Sequence, residues 1–374
     1  MHTIYNIALL WHIPIISGLL FQFLFAGDPA VELKPSCLRQ DSVRSQKRAQ
    51  VATANILFKS TDGGHTWQDI SKGLPENGED AGFFANEFGL YLRAGNGIYH
   101  AKPNATPPFW KKDMIPGRPG SIAPTKAGMV AYNFDGQFLQ QIKGTGAWQR
   151  VYTNFQGTAI RTVFETAGGT IFIGANNQLF KSTNSGKTWK QLRNGGGVMQ
   201  MAASNGVLLA TGAQGILRST DDGENWNWVI REGGVGIAVA PIKGGFAAIT
   251  YNAQSRTRRV RTSYDGGNSW QPIDAGLQAK AGIESLWRPI RASLPVQSNV
   301  DSAWRPSNEL PAEAFISSII HVGENFFVGH PTGIFKSSDK GRSWKLVLPS
   351  VEAKVFNLYV AGNVIYAIAR NGGC

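Results

Sequence analysis

The chain has 374 residues, a formal net charge of +12 and 17% charged residues against 42% hydrophobic ones. That length and apolar share exclude a chain too polar to bury a core, and 44 glycines suit many short strands separated by turns. The positive charge favours acidic partners, and the lack of any recognised nucleic-acid module points away from DNA or RNA.

The first segment, residues 4–25, is largely apolar with polar breaks at Tyr5, Asn6, His12 and Ser17, and it runs into Leu24-Phe25-Ala26-Gly27-Asp28. This pattern predicts a signal peptide over 1–26, hence an exported protein: periplasmic, at the outer surface or secreted. It departs from the usual form, because the start carries His2 but no Lys or Arg. A membrane anchor is the alternative, since the stretch approaches bilayer-spanning length. Residues 27–54 are polar and basic and read as a linker. The two cysteines, Cys37 and Cys374, fall outside the repeats described next. A disulfide between them and two free thiols both fit the sequence.

From residue 55 onward one phrase recurs: Ser, any residue, Asp or Asn, any residue, Gly, two residues, Trp. The copies are Ser60 to Trp67 with Asp62, Ser182 to Trp189 with Asn184, Ser219 to Trp226 with Asp221, Ser263 to Trp270 with Asp265, and Ser337 to Trp344 with Asp339. The Ser and Asp side chains can accept backbone N–H groups of their own turn, and the Gly can take a positive φ. The Trp supplies apolar cover and still has an N–H to satisfy. Apolar triplets such as Ile56-Leu57-Phe58 and Gly333-Ile334-Phe335 precede the phrase, so each unit reads as strand, tight turn, strand. Two degenerate copies end at Trp110 and Trp148 without the Asp. The tryptophans at 67, 110, 148, 189, 226, 270 and 344 are then spaced by 43, 38, 41, 37, 44 and 74 residues. Most steps match the ~40–45 residues of a four-stranded propeller blade. The last step is too long, and residues 276–314 read as an insertion, since they hold no copy of the phrase.

The phrase resembles the Asp-box, or BNR, repeat of sialidases and several other β-propeller families. The expected fold is all-β: a seven-bladed β-propeller over residues 55–374, with six or eight blades as alternatives. Blade one lacks inner strands before Trp67, and residues 355–360 and 363–368 can supply them. The two ends would then share a blade and close the ring. By this resemblance the box residues Asp62, Asn184, Asp221, Asp265 and Asp339, with Trp67, Trp189, Trp226, Trp270 and Trp344, are structural. A ligand would sit on the opposite face, formed by the turns between second and third strands.

Those turns are rich in groups that bind sugar hydroxyls or peptide backbone: Arg93, Asn96, Tyr132, Asn133, Asp135, Asn176, Asn177, Gln214, Tyr251, Asn252, His330 and Arg370. An ordinary hairpin-turn role fits any one of them better. Blade six adds a basic hairpin, Arg256, Arg258, Arg259 and Arg261, and the insertion carries Trp287-Arg288-Pro289 and Trp304-Arg305-Pro306. These arginines are the candidate anion contacts.

Catalytic patterns are weak. The Arg-Ile-Pro phrase that precedes the first box in sialidases does not occur in residues 28–59, and sialidases have six blades. Asp135, Glu165, Glu232 and Glu284 are the more plausible free acids, with no spacing that pairs them. Six histidines show no metal-ligand spacing. The expectation is therefore no metal and no cofactor. A second resemblance, in repeat and blade count, is to the seven-bladed photosystem II assembly and stability factors, which implies a non-catalytic propeller with a basic patch. The combined expectation is an exported monomer that binds an acidic protein or an anionic glycan, with peripheral membrane contact open and nucleic acid disfavoured. The alternative is a sialidase-like exo-glycosidase acting on a cell-surface or host glycan.

Overall fold

Strands of two to nine residues, the second strands of several blades buried almost throughout, build seven four-stranded antiparallel sheets. The computed structural model describes residues 55–75, 80–86, 89–103, 110–117, 119–142, 145–194, 197–255, 257–277, 316–352 and 354–370. The predicted signal peptide, the linker, Cys37, Cys374 and residues 278–315 lie outside the described residues.

Blade 1 is a composite. Its two inner strands are Val355–Ala361 and Val364–Arg370, and its outer strands are Leu57–Ser60 and Gln68–Asp69. Leu57 pairs with Ile368 and Ser60 with Ile365, so the two ends of the propeller are zipped together through main-chain hydrogen bonds. Blade 2 uses Asp80–Ala85, Leu90–Ala94, Gly97–Ala101 and Lys111–Lys112, and blade 3 uses Ser121–Thr125, Gly128–Tyr132, Phe138–Ile142 and Ala147–Val151. Blade 4 runs from Ile160–Glu165 to Lys190–Asn194, blade 5 from Met201–Ser204 to Asn227–Ile230, blade 6 from Gly234–Ile242 to Gln271–Pro272, and blade 7 from Ser318–Val322 to Lys345–Pro349. Among the described residues the only helix is the single 3-10 turn Ala275–Leu277. The chain is a seven-bladed β-propeller.

The core lies between blades. Seven apolar clusters occur among the described residues, one at each junction of neighbouring blades. Phe327 of blade 7, for example, sits with Phe356 and Ile365 of blade 1, all fully buried. Each such side chain contributes on the order of 1.5–3 kcal/mol through burial.

The repeated phrase forms the turn between the third and fourth strands. In every copy the Ser hydroxyl accepts the N–H of the Gly four residues on: Gly64, Gly186, Gly223, Gly267 and Gly341. The Asp or Asn Oδ1 accepts the N–H of the residue before the Trp. These hydrogen bonds hold Asp221 and Asp339 down at about 2, with Asn225 and Ser343 as the main causes respectively. Asp62 and Asp265 are lowered for the same reason.

The turn also faces a neighbour. A Cβ on Gly64 would lie 2.6 Å from the Phe327 ring, one on Gly223 2.6 Å from Phe172, and one on Gly341 2.5 Å from Ile273. Each glycine thus packs against the preceding blade. All three have φ between +82° and +83°, a conformation that L side chains avoid.

A basic residue just before the Ser strengthens the same junctions. Lys336 donates to Gly63 O at 3.0 Å, and Arg218 to Gly266 O at 2.7 Å. Lys181, itself buried, pairs with Asp222 at 3.0 Å and Glu224 at 2.9 Å. Gly63, Asp222 and Gly266 hold the same place in their turns, so these are equivalent straps from one blade to the next. Lys59 reaches forward in the same way to Pro103 O.

Candidate functional site

In an antiparallel blade the first-to-second and third-to-fourth turns share one face. The repeated turns therefore mark one face, and the second-to-third turns and blade connections make the opposite one.

The candidate residues on that opposite face separate into exposed and buried sets. Asn96, Asp135, Asn176, Asn177, Gln214 and Arg370 are exposed, while Arg93, Asn133, Tyr251 and Asn252 are partly buried. Tyr132 and His330, expected at the rim, are instead buried, with 6% and 3% of their surface exposed. Both end a second strand with the side chain turned toward the core. Tyr132 packs on Phe138, and His330 on Phe335. Burial raises the Tyr132 hydroxyl and lowers His330 to about 4, so both stay neutral at physiological pH. Asn133 and Asn252 serve their own turns: Asn133 Oδ1 accepts Asp135 N and Gln137 N, and Asn252 Oδ1 accepts Gln254 N and Ser255 N.

The basic hairpin of blade 6 works on its own chain. Arg259 binds Asp274 with two hydrogen bonds, at 2.7 and 3.1 Å, and Arg261 reaches Glu232 at 2.7 Å and Thr250 Oγ1 at 2.6 Å. Arg258 donates to Ile316 O at 2.5 Å. Asp274 and Ile316 stand on either side of residues 278–315, and Leu277 and Ile316 share one buried cluster. Arg258 and Arg259 therefore hold the two stems of the insertion, leaving them less to offer an incoming anion. Arg256, Arg288 and Arg305 lie outside the described residues.

Cations that sequence reasoning passed over stand exposed on the opposite face. Arg150 is the next-to-last residue of the outer strand of blade 3, Arg161 the second residue of blade 4, and Lys72 and Arg231 lie in blade connections. Arg161 stacks over Phe134 at 4.8 Å and donates to Asn176 Oδ1 at 2.6 Å. The acids nearby are mostly engaged: Glu232 by Arg261, Glu352 by Lys354 at 2.7 Å and Asp69 by Ser71 N. Asp135 is exposed, and Glu165, on the repeat face, accepts Lys126 N at 2.7 Å. Glu284 lies outside the described residues. Among the described residues no cluster of three metal-ligating side chains forms, and no helix is long and apolar enough to cross a membrane.

Beside Asp135 a groove of about 270 Å³ opens between the turn 133–137 and the segment 150–156 of blade 3. Asp135, Gln137, Arg150, Tyr152, Thr153 and Gln156 line it.

The fold has known counterparts. The GH74 xyloglucanase from Xanthomonas campestris aligns with a TM-score of 0.58 and 15% identity over 81% of this chain and 53% of its own. YCF48 bound to a D1 peptide aligns at 0.52 and 10% identity over 79% of this chain and 94% of its own. YCF48 from Cyanidioschyzon merolae gives 0.51 and 12%, covering 78% of this chain and 95% of its own. This chain spans about half the length of the xyloglucanase it resembles. It is similar in fold to both GH74 and YCF48 propellers, the second being photosystem II assembly factors. No family model matches the chain, and no curated protein matches it in sequence.

Proposed function

We propose that this chain is an exported, non-catalytic β-propeller that binds an acidic segment of a partner protein on the face opposite the repeated turns. The observation that carries this reading is the charge of that face. Lys72, Arg150, Arg161, Arg231 and Arg370 are exposed there, whereas Glu232 and Glu352 are neutralised by their own ion pairs. A rigid rim of cations raises the encounter rate and affinity of acidic ligands in a salt-dependent way. That YCF48, of like fold, is found with a peptide bound makes a peptide the favoured form of partner. The apolar start of the chain supports export.

Binding to arrayed acidic and neutral peptides at low and high salt tests the reading. Reversing Arg161, Arg231 and Arg370 to Glu together should weaken capture of acidic peptides at least about tenfold and remove most of its salt dependence. Unchanged binding would overturn the proposal. Release of reducing ends from a polysaccharide, lost in Asp135→Asn, would replace it with the hydrolase reading. Fractionation of cells expressing the chain with and without residues 1–26 tests export.

A further inference from the structure

We infer that the groove on blade 3 is a second binding site, one that takes a neutral sugar ring with Tyr152 as its stacking platform. It is separable from the acidic-partner reading, because Arg150 is the one residue the two share and the ligand chemistry differs.

Tyr152 is 86% exposed, more than any other large apolar side chain among the described residues. It follows directly on the outer strand Ala147–Val151, next to Val151, which is 37% exposed. A tyrosine ring standing in water on a rigid support offers a flat face that a ligand can cover. Its surroundings identify the cover. The groove below it carries one carboxylate, Asp135, one guanidinium, Arg150, two amides, Gln137 and Gln156, and one hydroxyl, Thr153. The two charges cancel, so an ionic ligand of either sign gains little there. Adjacent donors and acceptors of both kinds match the vicinal hydroxyls of a sugar, whose C–H face can lie on the tyrosine. The groove volume falls slightly below the ~300 Å³ at which drug-sized sites begin, a fit for about one ring rather than a long polymer segment.

The walls are built before any ligand arrives. Asp135 O accepts Gly157 N at 2.9 Å, and Thr158 N donates to Phe155 O at 2.9 Å. Gly136 lies so close to Phe155 that a Cβ there would overlap its carbonyl. Phe155 is buried against Phe180 and Trp189, at centroid distances of 4.9 and 5.3 Å. Two rigid segments thus hold Asp135 and Gln156 at fixed separation, which lowers the ordering cost of binding. A peptide strand is the weaker fit, since the short groove sits at the end of the outer strand and mixes both charges.

Calorimetric and NMR titration of the intact protein with cellotetraose, xylotetraose, mannotetraose and maltotetraose tests the inference, with sialyllactose and the acidic peptides above as contrasts. At least one neutral oligosaccharide should bind with little salt dependence. Tyr152→Ala should weaken it by about tenfold or more, and Asp135→Asn by several-fold, while Tyr152→Phe keeps most of the affinity. These positions are exposed, so unchanged melting curves separate lost contacts from lost folding. The Arg161/Arg231/Arg370 reversal should leave sugar binding intact, which separates this site from the acidic-partner site. No binding by any of the four sugars, binding indifferent to Tyr152→Ala, or a peptide held at Tyr152 in their place would each overturn the inference.

Discussion

The junctions that flank blade 2 solve one problem in two ways. Where blade 2 meets blade 1, Trp110 Nε1 donates to the main-chain oxygen of Ile70 at 2.8 Å. The junction of blades 6 and 7 does the same, with Trp344 donating to Ile273 O at 3.0 Å. Where blade 3 meets blade 2 the equivalent residue is Asp113, not isoleucine. Ile70, Ile273 and Asp113 each donate their N–H to the third strand of their own blade, at Leu57 O, Val260 O and Ile98 O. Trp148 Nε1 here donates to the carboxylate Asp113 Oδ2 at 2.7 Å. Asp113 has no exposed side-chain surface, and its other oxygen is bound by His100 Nδ1. His100 stands where other blades place a strapping lysine or arginine, and it lies against Gly146 of blade 3. Blade 3 has lost the repeated turn, and the buried Asp113 with its half-buried partner His100 takes over the contact that backbone and glycine make elsewhere.

The largest expected break of that comparison is His100→Ala. It leaves the Asp113 carboxylate buried with Trp148 as its remaining side-chain partner, which should cost about 3 kcal/mol, the low end for breaking a buried pair because His100 is partly exposed. Urea unfolding should show this as a lower midpoint. Adding Asp113→Ile, the residue found at Ile70 and Ile273, should recover much of the loss. If the double variant is no better than the single one, the equivalence fails.

Glycine substitutions give the next effect. Gly223→Ala drives a methyl into Phe172 and should cost about 2–4 kcal/mol from overpacking and backbone strain together. Gly186 has the same φ, but its nearest neighbour is the ring of its own Trp189, at 3.4 Å. Gly186→Ala should cost only about 1–2 kcal/mol, chiefly backbone strain. Equal losses in thermal melts would refute the view that the turn serves the preceding blade.

Acid separates the turns themselves. Asp221 and Asp339 are lowered to about 2 from 3.8 in the fold. A depressed carboxylate contributes stability that is present above its unfolded pKa and is lost as pH falls through the folded value. These turns should therefore weaken between about pH 4 and pH 2. The blade 4 turn, built on Asn184, makes the corresponding bonds without titrating. Asp221→Asn with Asp339→Asn should flatten the acid limb of a stability-against-pH curve; an unchanged limb would assign acid sensitivity elsewhere.

The smallest effects separate straps from surface pairs. Lys181→Met removes a buried strap and should cost roughly 0.5–1.5 kcal/mol, since Asp222 keeps its bond from Thr170 and Glu224 its pair with Lys190. Lys243→Met breaks an exposed pair with Glu324, both side chains over 70% exposed, and should cost about 0–1 kcal/mol. Denaturation midpoints of the two variants give the ordering directly.

Much of this was legible in the chain itself. Five copies of the Ser-x-Asp/Asn-x-Gly-x-x-Trp phrase and the spacing of seven tryptophans pointed to the fold and to seven blades, and the lack of inner strands before Trp67 pointed to the sharing of blade 1 by the two ends. Local chemistry sufficed because each turn is bonded within eight consecutive residues. Even Asp113 left a trace, since it replaces the isoleucine that follows the outer strand at Ile70 and Ile273. What only the tertiary structure decided is where each side chain points and what it meets across a junction. Strand alternation turns Tyr132 and His330 inward at the ends of their strands, while Tyr152, one residue beyond its strand, stands in water. The arginines of blade 6 looked free along the chain, but folding carries Glu232, Asp274 and Ile316 to them. Part of the positive charge is likewise taken up by straps such as Lys181, Arg218 and Lys336, whose partners lie 43, 48 and 273 residues away in sequence. Repeats are local and can be read by spacing; pairing across blades is long-range, and only the closed ring brings those partners together.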